Sequence, residues 1–87
     1  MNIVKRASAG TMQSSDLMVQ VEPFDRLDIR IESTVKKQFE HLIRERIEAV
    51  LRRQAVTRAL VTVSDRGALD YAIEARVETA LRRAGEA

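Results

Sequence analysis

The chain has 87 residues, of which 45% are hydrophobic and 32% charged, with a net charge of +2 and no cysteine. This is the composition of one small globular domain, not of a disordered chain. The missing cysteine excludes disulfides, cysteine-ligated metals and a cysteine nucleophile, and the near balance of charge provides no concentrated basic field for nucleic acid.

Phe24, Phe39 and Tyr71 are the only aromatics, so the core must be built from Leu, Ile, Val and Ala. Lys5 and Arg6 near the start are not followed by an apolar run, and the segment does not read as a secretory signal. No stretch approaches the ~20 apolar residues of a membrane span. The expectation is a cytoplasmic domain over residues 1–87 that engages neither membrane nor nucleic acid.

Residues 1–8 hold only Ile3 and Val4 as strong apolars, and either add a short strand or fray. After a polar loop, Leu17, Val19 and Val21 alternate with Met18, Gln20 and Glu22, the period of a half-buried strand. Glu22-Pro23-Phe24-Asp25 reads as a turn. Leu27, Ile29 and Ile31 then resume the alternation, and the two strands are predicted to pair as an antiparallel hairpin.

Beyond Ser33 and Thr34 the period changes. Val35, Phe39, Leu42, Ile43, Ile47, Val50 and Leu51 recur at helical spacing, with Ser33 as the predicted N-cap. The pairs Glu40–Arg44, Glu48–Arg52 and Glu78–Arg82 have the favourable i,i+4 order. Val56 to Val63 predicts a central strand because its end is nearly continuous and β-branched, with Ser64 to Gly67 a turn. Leu69, Ala72, Ile73, Val77, Ala80 and Leu81 mark one face of a second helix ended by Gly85. The predicted fold is an α+β two-layer sandwich in ββαβα order: an antiparallel sheet of about three strands covered by two helices.

The loop Ala9-Gly10-Thr11-Met12-Gln13-Ser14-Ser15-Asp16 is made of small and polar residues, the composition of an exposed turn. Serine in such a loop is ordinarily only a turn former, and no nearby histidine or Gly-x-Ser-x-Gly elbow activates Ser14. The run nevertheless resembles the Ala-Gly-Thr-Leu-Glu-Ser-Ser/Gly-Asp segment of citrate lyase acyl carrier proteins, the gamma subunits. Asp65-Arg66-Gly67-Ala68-Leu69-Asp70 is similar to that family's Asp-Lys-Gly-Ala-Leu-Asp, and Ala75, Arg76 and Glu78 continue the likeness. Met12 and Gln13 depart from the usual leucine and glutamate; the first change conserves volume, and the second removes a charge beside the serine.

The resemblance implies a non-catalytic carrier with phosphoribosyl-dephospho-coenzyme A (phosphoribosyl-dephospho-CoA) covalently attached at Ser14. It implies recognition of the loop through Gly10, Thr11 and Asp16 by the transferase that attaches the group, which is drawn from the triphosphoribosyl precursor. Its partners would be the alpha subunit, a CoA-transferase, and the beta subunit, a citryl-lyase. The carrier of malonate decarboxylase is the nearest alternative, and a small α+β nucleic-acid-binding module is another, suggested only by the arginines. Fatty-acid-type carriers differ in having an Asp-Ser-Leu site at a helix start.

Asp16 has two readings, orienting the attaching enzyme or its metal, or bonding local backbone N–H groups. His41 stands off the apolar stripe without organised partners, which makes it a surface residue and not a metal ligand. Arg44, Arg46, Arg52 and Arg53 read as a solvated helix face; the sharper alternative is contact with phosphates or with an acidic partner.

Overall fold

The computed structural model describes residues 1–34 and 37–86. Its elements are β1 (Asn2–Ile3), β2 (Ala7–Gly10), β3 (Leu17–Glu22), β4 (Leu27–Ser33), a 3₁₀ turn (Lys37–Phe39), α1 (Glu40–Arg53), β5 (Ala59–Asp65), α2 (Asp70–Ala84) and β6 (Gly85–Glu86). The main sheet has four strands in the order β2-β3-β5-β4, with β4 and β5 parallel and the other pairs antiparallel. β1 and β6 form a separate two-stranded ladder.

The α+β class and the two helices follow the sequence expectation, but the sheet does not. β3 and β4 run in opposite senses as a hairpin would, yet β5 lies between them. The Pro23–Arg26 link crosses the start of β5, where Ala59 N–H donates to the Arg26 carbonyl at 3.0 Å. β5 takes an interior place because Val61 and Val63 bury completely on one face while Leu60 and Thr62 are half-covered on the other. The hairpin in the structure is β2–β3, closed by the loop that carries Ser14. Its first strand, Ala-Ser-Ala-Gly, has too little β propensity to be recognised as a strand.

Both helices cover one face of the sheet. Leu17, Val19 and Val21 from β3 and Ala59, Val61 and Val63 from β5 meet Ile43, Ile47, Val50 and Leu51 of α1 and Ile73, Val77, Ala80 and Leu81 of α2. Two helix details differ from expectation. Ser33 is not an N-cap: it ends β4, level with Asp65, and its hydroxyl donates to Asp65 Oδ2 at 2.9 Å. Instead α1 begins after the 3₁₀ turn at Phe39, with no side-chain cap. Val35, placed in the predicted stripe, lies outside the described residues.

Leu42 and Phe39 are 48% and 45% exposed, so neither belongs to the core. At 100° per residue Leu42 stands about 100° around the helix from Ile43 and about 140° from Ile47, on the flank of the buried stripe. Leu27, expected inside, is 40% exposed at the start of the edge strand β4, and Ile31 is only half-buried. Leu42→Ala is therefore expected to change stability by no more than about 0.5 kcal/mol in urea unfolding, the range of surface substitutions. Ile47→Ala, at a fully buried position, should cost roughly 2–5 kcal/mol.

Candidate functional site

β2 ends at Gly10, whose φ of +102° is the left-handed region glycine adopts freely. A Cβ there would lie 1.9 Å from the Leu17 carbonyl oxygen, so only glycine permits the close approach of the two strands. Thr11 N–H then donates to that same oxygen at 3.1 Å, and the chain leaves the ladder.

Residues 13–16 form the tip. Asp16 N–H donates to the Gln13 carbonyl at 3.2 Å, and Ser15 is the turn's one residue at positive φ, 65°. That is the arrangement of a type II turn, with Ser14 at its first corner and Ser15 at the position that favours glycine. Ser15 N–H donates to the Arg66 carbonyl at 2.8 Å and Arg66 N–H to the Asp16 carbonyl at 2.9 Å. Two residues of one strand thus oppose one residue of the other, a bulge with its first residue left-handed. The glycine that the family motif admits beside the serine has its physical reason here. Ser15→Gly is expected to raise stability by up to about 1 kcal/mol by removing the left-handed penalty, read as a higher urea midpoint.

Ser14 is exposed, and its hydroxyl has no hydrogen-bond partner among the described residues. Asp16 beside it is fully engaged. Arg76 donates from Nε to Oδ1 at 3.1 Å and from Nη2 to Oδ2 at 3.0 Å. Thr11 Oγ1–H donates to Oδ2 at 2.7 Å and Leu17 N–H to Oδ1 at 2.8 Å. The bidentate Arg76 bond, helped by Thr11 and Leu17, holds the Asp16 carboxyl at about 2 against a desolvation that works the other way. A carboxylate offers about four acceptor sites, and these are all taken. In this structure Asp16 is thereby bound into the loop, its acceptor sites used by Arg76, Thr11 and Leu17.

Gly10, Thr11 and Asp16 thus hold the shape of the turn from below while Ser14 stands outside it. Thr11 Oγ1 also accepts from Gln13 N–H at 3.2 Å, tying the two sides of the loop. Met12 and Gln13, the two departures from the motif, are both exposed.

Arg76 and Arg66 were not singled out from the sequence as site residues. A signal existed for Arg76: it stands four residues from both Ala72 and Ala80, a charge on the margin of an apolar stripe, where a partner is needed. The β5 side of the loop rests on Asp65, which is 1% exposed and accepts from Ser33 Oγ and from Ala68 N–H at 3.0 Å. The predicted turn at Ser64 and Asp65 is therefore the end of β5, and the turn begins at Arg66.

The arginines of α1 do not form a free basic face. Arg46 pairs with Asp70 and Glu74, and Arg53 with Glu74 and Glu78. Arg44 donates to the Ile29 carbonyl on the outer edge of β4 at 3.1 Å. Arg52 and His41 are exposed. Glu78 meets Arg53 in the neighbouring helix, not the predicted Arg82. Among the described residues no group of histidines and carboxylates is arranged to hold a metal ion, and no helix is long and apolar enough to cross a membrane.

Comparison with known proteins gives a consistent family. The family model described as the acyl carrier protein "Malonate decarboxylase delta subunit (MdcD)" matches residues 4–84. A citrate lyase acyl carrier protein of Haemophilus influenzae (strain PittEE) is 51% identical over 84 residues, covering 97% of this chain and 88% of that protein. One from Albidiferax ferrireducens is 53% identical over 85 residues, covering 95% and 87%. A chain in the crystal structure of a Pseudomonas malonate decarboxylase hetero-tetramer in complex with malonate has the same fold, with a TM-score of 0.79 at 23% identity over 98% of this chain and 93% of that one. The match of the family model over residues 4–84, the 51% identity across 97% of the chain and the shared fold place the chain in the family of citrate lyase and malonate decarboxylase acyl carrier proteins, and it is a non-catalytic carrier subunit.

Proposed function

We propose that the protein is the acyl carrier subunit of a citrate lyase complex, with Ser14 Oγ as the point of covalent attachment for phosphoribosyl-dephospho-coenzyme A. The supporting observation is a backbone held in place around Ser14, by the Asp16 N–H bond to Gln13 and the Ser15 and Arg66 N–H bonds across the bulge, while the Ser14 hydroxyl is exposed and unengaged; the Ser15 hydroxyl is equally open, and the choice of Ser14 rests on the motif resemblance. Such a site fits a group joined by one covalent bond and needs no pocket to hold it. Once attached, the group supplies a thiol for acyl thioesters, which a chain without cysteine cannot provide.

In the loading step Ser14 Oγ forms a bond to the innermost phosphorus of the triphosphoribosyl precursor as the bond to pyrophosphate breaks. The hydroxyl proton leaves to a base of the attaching transferase, since among the described residues no titratable side chain bonds Ser14. The turn presents the oxygen and the domain holds the turn still. With the acyl group on a flexible tether, the alpha and beta subunits meet it at an effective concentration of order mM. The partners are those two subunits and the transferase, and the setting is cytoplasmic.

A second reading, the carrier of malonate decarboxylase, is favoured by the family description and by the fold of the solved hetero-tetramer. The citrate lyase reading rests on identities near 50%. Reconstitution separates them. Loaded protein should restore citrate cleavage by citrate lyase alpha and beta subunits and leave malonate decarboxylase subunits inactive on malonate. The reverse pattern would overturn the citrate lyase reading in favour of the second.

A further inference from the structure

Two arginines meet the Ser14 loop, and they are held very differently. Arg76 commits its Nε and Nη2 to the Asp16 carboxyl at 3.1 and 3.0 Å. Arg66 is joined to the loop through its backbone alone: its carbonyl accepts from Ser15 N–H at 2.8 Å, and its N–H donates to the Asp16 carbonyl at 2.9 Å. Among the described residues its guanidinium makes no hydrogen bond. Its ion pair there runs from Nη2 to Glu32 Oε1 at 3.6 Å, beyond hydrogen-bonding distance.

The Arg66 side chain is 31% exposed and that of Glu32 is 74% exposed. A contact of this length to a carboxylate mostly in water contributes little. Arg66 therefore holds a half-covered cation with five N–H donors and no bonded acceptor. Lys37, exposed in the 3₁₀ turn after β4, has no bond to the loop.

Placement points to the ligand. Paired backbones stand about 5 Å apart, so an extended arginine side chain at position 66 is long enough to pass Ser15 and reach the side chain of Ser14. A phosphate joined to Ser14 Oγ brings a negative charge two residues from the Asp16 carboxylate. The Asp16–Arg76 pair is neutral as a whole, which leaves Arg66 as the loosely partnered cation beside the turn. A guanidinium suits this anion, because its planar fork offers parallel N–H donors to two phosphate oxygens.

We propose that the Arg66 guanidinium binds the phosphate joining the prosthetic group to Ser14, giving up its contact with Glu32 for that anion; the inference rests on the reading of Ser14 as the attachment residue. Arg66 is a binding residue for the root of the tether and has no part in the thioester chemistry. Glu32 alternates with Ile31, which packs on the core, so the root is held toward the sheet face that the helices leave open. The rest of the arm keeps its freedom.

The test uses the full chain, loaded to completion with excess transferase and triphosphoribosyl-dephospho-coenzyme A. Two NMR signals are followed: the phosphorus resonance of the phosphodiester and the Nε–H of Arg66. On loading of the parent, the Arg66 Nε–H signal should shift and exchange more slowly with water. Arg66→Gln should move the phosphodiester resonance toward its position in urea-unfolded loaded protein. Arg66→Lys should restore it in part, as a point charge in place of the fork. Lys37→Gln removes a nearby charge and should leave it in place. Loading should also raise the urea midpoint of the parent and not that of Arg66→Gln.

An unmoved Nε–H signal, or the same phosphodiester resonance in parent and Arg66→Gln, would overturn the proposal, as would equal movement in Lys37→Gln. The backbone bonds of Arg66 survive the side-chain change, so the unloaded variant should unfold at the parental midpoint. Should it fail to fold, the Nε–H signal of the parent decides alone. Peptide mapping of the same loaded protein keeps the two ideas apart. A group found on another residue would remove the attachment reading and this proposal with it, whereas a group on Ser14 with unmoved signals would remove the arginine alone.

Discussion

Replacing Gly10 by alanine is expected to lower stability by roughly 3–5 kcal/mol, more than any other single change in the loop. Two penalties act together. The residue sits at φ +102°, where an L side chain is strained, and the new Cβ would lie 1.9 Å from the Leu17 carbonyl oxygen, a backbone atom that cannot swing aside. Relief requires β2 and β3 to separate at their last pair, Gly10 and Met18, and the Thr11 N–H bond to Leu17 is then lost as well. A domain of this length has roughly 4–13 kcal/mol of stability in total, so the variant should be visibly destabilised in urea. A loss below about 1 kcal/mol would mean that the strands do not approach as described. Because Ser14 hangs from this junction, the surviving folded fraction should also load slowly.

The second large effect is at the Asp16–Arg76 pair. Arg76→Ala should cost about 1–3 kcal/mol at pH 7, because it leaves a mostly buried carboxylate with two of its four donors removed. Asp16→Asn should cost a similar amount, and the double variant less than the sum, since both changes break the same bonds. The pH dependence has a definite sign. Asp16 titrates at about 2 in the folded protein against an ordinary 3.8. A lowered carboxylate contributes its stability in full above the unfolded value, and loses it as pH falls through the folded one. The gap between parent and Asp16→Asn should therefore be constant above about pH 5 and shrink between about pH 4 and pH 2. Urea unfolding across that range reads it directly. An unchanged gap at pH 2 would show that the ionised carboxylate is not what holds the loop.

The elements that could be read from the sequence are those with a strong local period. The stripe from Ile43 to Leu51 and that from Ile73 to Leu81 bury as spaced, and the alternation from Leu17 to Val21 matches the buried face of β3. What could not be read depends on partners far along the chain. The insertion of β5 between β3 and β4 is a choice among pairings that all satisfy the same alternation. β2 is invisible because Ala, Ser and Gly carry no strand signal, and it exists only through its pairing with β3. Phe39 and Leu42 were misplaced because hydrophobicity on a helix flank looks like core until the neighbouring layer is known.

The candidate site divides the same way. Ser14, Gly10, Thr11 and Asp16 are adjacent in sequence, and motif resemblance was enough to find them. The parts that hold them lie 50 to 60 residues away, in Arg66 at the end of β5 and Arg76 on α2. No local pattern connects positions so far apart. Arg76 offered the one physical hint, a charge on the margin of the Ala72–Ala80 line, and Ser15's left-handed backbone had a parallel in the glycine of the motif.

The central claim is that Ser14 Oγ is the attachment point, and peptide mapping of protein produced together with the attaching transferase tests it most directly. The parent should carry one mass increment of phosphoribosyl-dephospho-coenzyme A on the peptide holding residues 10–17, with fragment ions assigning it to Ser14. Ser14→Ala should carry none while unfolding at the same temperature, because an exposed loop hydroxyl contributes little to stability. An increment that persists in Ser14→Ala, or that maps to Ser15 in the parent, would contradict the assignment.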